Sequence, residues 1–85
     1  MSFSLNVRKV DDVVIMDFEG RFTIGEPVET VRREVRRHLE DGTRKFILNL
    51  RDLDFLDSSA LGALVSAYTM IRSKDGDVKV LLRGS

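Results

Sequence analysis

The chain of 85 residues has no cysteine, one histidine and one proline, and its fourteen Lys and Arg are matched by fourteen Asp and Glu. Each scarcity excludes a class of chemistry. Without cysteine there is no disulfide framework and no thiolate metal site. With zero formal net charge, no global field draws the chain to nucleic acid or to an anionic membrane. No apolar run approaches a membrane span, and the N-terminus lacks the charged-then-apolar layout of a signal peptide, so a cytoplasmic protein is expected. The only histidine, His38, falls near the end of a helical segment and reads as a surface residue. A serine nucleophile is thus left without a positioned base, and the Gly-x-Ser-x-Gly elbow is missing. The carboxylates show no metal-ligand spacing. The expectation is a non-enzyme without metal or cofactor.

What is present is a globular composition: 42% hydrophobic and 33% charged residues rule against disorder. The length fits one domain over residues 1–85, and no repeat, low-complexity tract or linker interrupts it. Phe3, Leu5 and Val7 alternate with Ser4, Asn6 and Arg8, which is strand periodicity with one wet face. A tight turn at Val10–Val13 leads into an apolar, β-branched run to Phe18, ended by Glu19-Gly20, so the first two strands form an antiparallel hairpin. Residues 21–26 read as loop. Pro27 suits a first helical turn, Val28, Val31, Val35 and Leu39 recur at helical spacing, and Gly42 stops the helix.

Arg32, Arg33, Arg36 and Arg37 fall on the opposite, solvated face. Lys45 to Leu50 alternates as a third strand, with Phe46, Leu48 and Leu50 on one side and Lys45, Ile47 and Asn49 on the other. A second helix follows from about Ser59 to Arg72, with a stripe of Leu61, Leu64, Val65, Tyr68 and Ile71 and with Ala60, Ala63 and Ala67 permitting close packing. After a turn at Lys74–Asp77, Val78 to Leu82 forms a fourth strand.

The predicted class is α/β: a four-stranded mixed sheet in the order β-β-α-β-α-β, with an N-terminal antiparallel hairpin and then parallel strands. If strand order follows chain order, right-handed crossovers put both helices mainly on one face. The polar positions Lys45 and Asn49 agree, because a sheet covered on both faces has apolar central strands throughout.

Asp57-Ser58-Ser59-Ala60-Leu61-Gly62 opens the second helix at the carboxyl end of the third strand, where open α/β sheets place their sites. Small polar side chains there satisfy the free N–H groups of the first turn. The same turn carries the positive end of the helix dipole, which favours an added anion. A structural cap and a reversible phosphate site are both consistent with these residues.

That hexapeptide, with Ile47-Leu48-Asn49-Leu50 and Leu53-Asp54-Phe55-Leu56 before it, resembles the signature of STAS domains, and more narrowly of bacterial anti-sigma factor antagonists. The opening hairpin, Glu19-Gly20 and the helix from Pro27 to Leu39 fit the same layout. The resemblance implies a regulatory binding module. Its phosphate acceptor is the serine after the motif aspartate, here Ser58. Its partners are an anti-sigma factor serine kinase of the histidine-kinase-like ATPase superfamily, bound by the unphosphorylated form, and a cognate phosphatase. Asp57 and Ser59 then shape the turn and the docking surface, and Thr23 falls where the family often carries an acidic partner-contacting residue.

Family members continue into one or two further helices, whereas this sequence ends after the fourth strand. The resemblance therefore also implies an exposed fourth strand and association into a homo-oligomer or with a fused segment. An alternative within the family is a self-associating scaffold or subunit of a stress-signalling or lipid-transport assembly. An anion-transporter tail, lacking its membrane segment here, and an enzyme rank below it.

Overall fold

The computed structural model describes residues 2–84; Met1 and Ser85 lie outside the described residues. Its elements are β1 (Phe3–Val10), β2 (Val13–Phe22), α1 (Glu26–Glu40), β3 (Lys45–Leu56), α2 (Ser58–Ser73) and β4 (Asp77–Leu81). The four strands form one sheet in chain order. β1 and β2 are antiparallel, paired from Val10↔Val13 to Phe3↔Gly20. β2 with β3 and β3 with β4 are parallel. The order, the mixed pairing and the placement of both helices on one face are as the sequence predicts.

The core is a single layer between that face and the helices. Val14, Met16, Phe18 and Phe22 of β2, with Phe46 and Leu48 of β3, meet Val28, Val31, Val35 and Leu39 of α1. The period-two spacing in the strands and the helical spacing in α1 put these residues on facing surfaces. From α2 the buried residues are Ala60, Ala63, Ala67 and Ile71. Here the structure corrects the expected stripe. Leu61, Val65 and Tyr68 are 55%, 58% and 49% exposed. The alanines face inward because, without long side chains, α2 can lie close to the sheet and to α1. The larger residues are turned away from the core.

Two strands run further than their sequence suggests. Gly20 does not end β2, which continues through Arg21 to Phe22. Its φ is +94°, and a Cβ there would strike the Ser2 carbonyl oxygen, so glycine marks a close backbone approach rather than a stop. β3 continues past Leu50, where the predicted strand ends, to Leu56. Register shifts between Asp17 and Glu19, and again between Gly20 and Arg21, let β3 carry extra residues against β2. β4 pairs with β3 only as far as Asn49↔Leu81. Beyond that point Arg83 replaces a strand, donating Nε to the Arg51 carbonyl (3.0 Å) and Nη2 to the Leu53 carbonyl (2.8 Å).

The uncovered face is held by polar contacts. Asn49, expected on the wet side, is only 8% exposed. Its Nδ2 donates to Asp17 Oδ1 at 2.8 Å, and its Oδ1 accepts from the N–H and Nε of Arg51, each at 3.2 Å. Arg8 Nε donates to the other Asp17 oxygen at 2.8 Å. Both ends of the amide are thus satisfied, which makes its burial tolerable. His38 is also less exposed than expected, with its ring Nδ1 2.8 Å from the Glu34 carbonyl.

The two faces of α2 predict opposite responses to mutation. Ala67→Leu, which forces volume into the α1–α2 contact, should cost about 1–3 kcal/mol of unfolding free energy. Val65→Ala should stay within roughly 0.5 kcal/mol of the parent. Urea unfolding followed by circular dichroism measures both. A larger loss at Val65 than at Ala67 would contradict the inward alanine stripe.

Candidate functional site

The ends of β2 and β3 bring the candidate residues together. Phe22 pairs with Leu56, so the segments that follow each strand leave the sheet side by side. Phe22 is fully buried, stacked on Phe3 with centroids 5.3 Å apart and edge-on to Phe18 at 5.3 Å. This aromatic cluster fixes the floor under the site.

Asp57 follows β3 and joins the two segments. Its N–H donates to the Phe22 carbonyl at 3.2 Å. Its Oδ2 accepts from the Ile24 N–H at 3.0 Å, and its Oδ1 accepts from the Ala60 N–H at 2.8 Å. Asp57 is therefore the N-cap of α2, in an extended conformation with φ −94° and ψ 179°. These two backbone donors, Ile24 first and Ala60 second, hold the Asp57 carboxyl below its ordinary range against a smaller opposing effect of desolvation.

The cap role belongs to Asp57 alone. The helix begins at Ser58, one residue earlier than expected, so Ser58 and Ser59 occupy its first turn. Both are exposed. Among the described residues the Ser58 side chain forms no hydrogen bond, since Asp57 already serves the Ala60 donor. Thr23 is half-buried. It sits between Phe22 and Ile24, the two residues whose backbone Asp57 binds, so all four candidate positions share one corner.

Exposed apolar side chains surround this corner: Ile24 is 69% exposed, and Phe55 and Leu56 follow at about two-fifths exposed. The Arg21 guanidinium lies 4.2 Å from the centroid of the Phe55 ring. The sequence reading missed Ile24, Phe55 and Arg21. The signal was an apolar Ile24 inside a turn and an apolar pair placed directly before the cap. An open hollow of about 480 Å³ beside Arg21 is lined by Ser2, Ser4, Glu19, Gly20, Arg21 and Asp54, and includes none of the four candidates. Among the described residues no group of three or more His, Asp or Glu is placed to hold a metal ion, and no helix is long and apolar enough to cross a membrane.

The hydrogen bonds at Asp57 carry a pH dependence. A carboxyl whose folded pKa lies below its unfolded value stabilises the fold fully above the unfolded pKa, about 3.9 for Asp. That stabilisation is lost as pH falls through the folded pKa. Asp17, lowered first by its hydrogen bond from Arg8, acts in the same direction. Stability should therefore fall as pH drops below about 4. Asp57→Asn should be less stable than the parent at neutral pH and show a shallower acid decline. Thermal unfolding between neutral pH and pH 3 measures this; parallel curves for the two proteins would remove Asp57 from the account.

Comparison with known proteins extends this geometry. A STAS domain family model matches residues 4–83. A solved structure described as a putative anti-sigma factor antagonist from Thermotoga maritima is 30% identical with a TM-score of 0.78, covering 89% of this chain and 65% of that one. The Bacillus cell fate determinant SpoIIAA, solved in its phosphorylated form, is 24% identical with a TM-score of 0.76, covering 99% of this chain and 74% of that one. A structure of Mglu shares the fold at 23% identity and a TM-score of 0.78, covering 88% of this chain. The chain spans only 18% of Mglu, about two thirds of the Thermotoga protein and about three quarters of SpoIIAA. On the match across nearly its whole length, the chain belongs to the STAS domain family.

Proposed function

We propose that this domain is an anti-sigma factor antagonist, a phosphorylation-switched binding module that docks an anti-sigma factor serine kinase while Ser58 is unmodified. The observation that carries the reading is the exposed Ser58 hydroxyl in the first turn of α2, left free because Asp57 performs the capping. The likeness to SpoIIAA, a protein that exists in a phosphorylated form, and to the Thermotoga protein supports it. In this reading a cognate phosphatase restores the hydroxyl. The domain itself is substrate and ligand, not enzyme.

The physics favours a blockade of docking over a change of fold. Phosphate on Ser58 adds about −1.5 to −2 charges at neutral pH. The helix dipole stabilises that charge by about 0.3–1 kcal/mol, whereas the neighbouring Asp57 carboxylate repels it. Within the free domain these effects are small and opposed. In a docked complex, a dianion buried without a partner costs about 2–5 kcal/mol, roughly a thirtyfold to several-thousandfold loss of affinity. Ile24, Phe55 and Leu56 supply apolar contact area around the hydroxyl, and Thr23 and Ser59 supply its polar neighbours.

A second reading is a scaffold or assembly subunit that self-associates without sigma-factor control. The apolar groove beside α2 and β4 favours it, since large exposed apolar surfaces mark interaction sites.

The switch is tested with candidate anti-sigma kinases, Mg-ATP and intact-mass measurement. The parent should gain one phosphate and Ser58→Ala none. Ser58→Asp should fold normally and bind the kinase at least about thirtyfold more weakly. Phosphate that persists in Ser58→Ala, or kinase affinity unchanged in Ser58→Asp, would overturn the assignment.

A further inference from the structure

The arginines of α1 do not share one environment. Arg32 and Arg36 line the groove between α1 and α2, whereas Arg33 and Arg37 do not. A hollow of about 120 Å³ is bordered by Arg32 and Arg36 of α1 and by Ser66 and Met70 of α2. A second, of about 240 Å³, is bordered by Arg36 and Glu40 of α1, by Arg44, and by Met70 and Lys74. Arg36 and Met70 border both, so the hollows form one groove along the helix pair. Its walls are regular. Arg32, Arg36 and Glu40 on one side, and Ser66, Met70 and Lys74 on the other, each recur at a spacing that keeps them on one helix face.

Positive charge gathers here although the chain as a whole is balanced. Arg32, Arg36, Arg44 and Lys74 border the groove with a single carboxylate, Glu40, and all of these cations are exposed. Elsewhere the chain pairs its cations: Arg8 with Asp17, Arg37 with Glu34, Lys45 with Asp12 and Arg72 with Asp77. Among the described residues Arg32, Arg36 and Lys74 have no carboxylate within ion-pair distance. Arg44 Nη1 donates to the Leu39 and Thr43 carbonyls at 3.0 and 2.9 Å, which fixes its guanidinium at the end of the groove. The floor is apolar. Val35, Leu39, Ala63 and Ala67 are buried, and Met70 is half-buried.

We propose that this groove docks an acidic amphipathic helix of a partner protein. Charge complementarity selects the carboxylates. Arg32 and Arg36 stand one helical turn apart, about 5.4 Å along the axis, so carboxylates one turn apart on a helix lying alongside meet both. Met70 gives an adaptable apolar contact between the charged walls, which an apolar side chain on the same face of the occupant matches. From Arg32 to Glu40 the groove runs about 12 Å, the length of a short helix. A nucleic-acid strand would use the cations but leave Met70 without a counterpart. Ser58, at the start of α2, does not border the groove, and the inference does not rest on its phosphorylation.

The test is an NMR titration of the full isotope-labelled chain with a synthetic probe, a hydrocarbon-stapled helix carrying two glutamates one turn apart and leucines on the same face. A control peptide has glutamine in place of each glutamate. The acidic peptide should shift the amide signals of residues 32–40 and 63–74, and its affinity should fall as salt rises. It should bind roughly tenfold or more tightly than the glutamine peptide. Arg32→Glu/Arg36→Glu should weaken binding by roughly tenfold or more, whereas Arg33→Glu/Arg37→Glu, the same charge change on the same helix but outside the groove, should stay within about twofold of the parent. If the first pair does not fold, Arg32→Gln/Arg36→Gln takes its place and should still weaken binding more than Arg33→Gln/Arg37→Gln. A single-stranded thymidine oligonucleotide should not displace the peptide. Equal binding of the two peptides, equal losses in the two double variants, or displacement by the oligonucleotide overturns the proposal. Ser58→Ala should bind the peptide as the parent does, so a chain that takes the peptide but no phosphate would refute the switch and leave the groove standing.

Discussion

Asp57 makes three backbone hydrogen bonds at once: its N–H reaches the end of β2, and its two carboxylate oxygens take the Ile24 and Ala60 N–H groups. A carboxylate with two oxygens is well suited to this position, because one oxygen can cap the helix while the other anchors a loop. The consequence for Ser58 is indirect. Had the serine been the cap, its oxygen would be committed to a backbone donor. With the aspartate as cap, the serine stands in the first helical turn, exposed, with the positive end of the dipole beside it. The exposed position of the hydroxyl thus follows from the chemistry of the residue before it.

The support below this corner is apolar and aromatic. Phe3, Phe18 and Phe22 pack together at the end of the hairpin, and the sheet continues beneath the cap through the Phe22↔Leu56 pair. Among the described residues no helix lies over the far face of the sheet, which carries the Arg8–Asp17–Asn49–Arg51 contacts. The domain therefore separates its surfaces by chemistry. A sheet face that mixes the Arg8–Asp17–Asn49 contacts with Val13, Ile15 and Ile47 lies on one side. A mixed corner around Ser58 sits at the carboxyl ends of the strands. An apolar groove runs along α2 and β4.

Much of the fold was legible in residue order. Valines at helical spacing in α1, a β-branched run in β2 and Gly42 after the helix are local signals, and each reflects a local steric preference. The misreadings share one cause. Glu19-Gly20 reads as the end of the second strand, and the third strand is expected to stop at Leu50. Here the register shifts accommodate extra residues, and Arg83 takes the carbonyls that β4 does not reach. Such compensation comes from residues distant in the chain, which no local window contains.

The sequence by itself determined the element order, the handedness that follows from linking parallel strands through helices, and the presence of a small polar triplet where α2 begins. Tertiary structure alone decided which member of that triplet is the cap and which face of α2 is buried. Both α2 stripes, alanine and leucine-rich, have helical spacing, so periodicity cannot choose between them. The choice falls to close packing: the narrow space against α1 and the sheet admits Ala60, Ala63 and Ala67 and leaves Leu61, Val65 and Tyr68 outside.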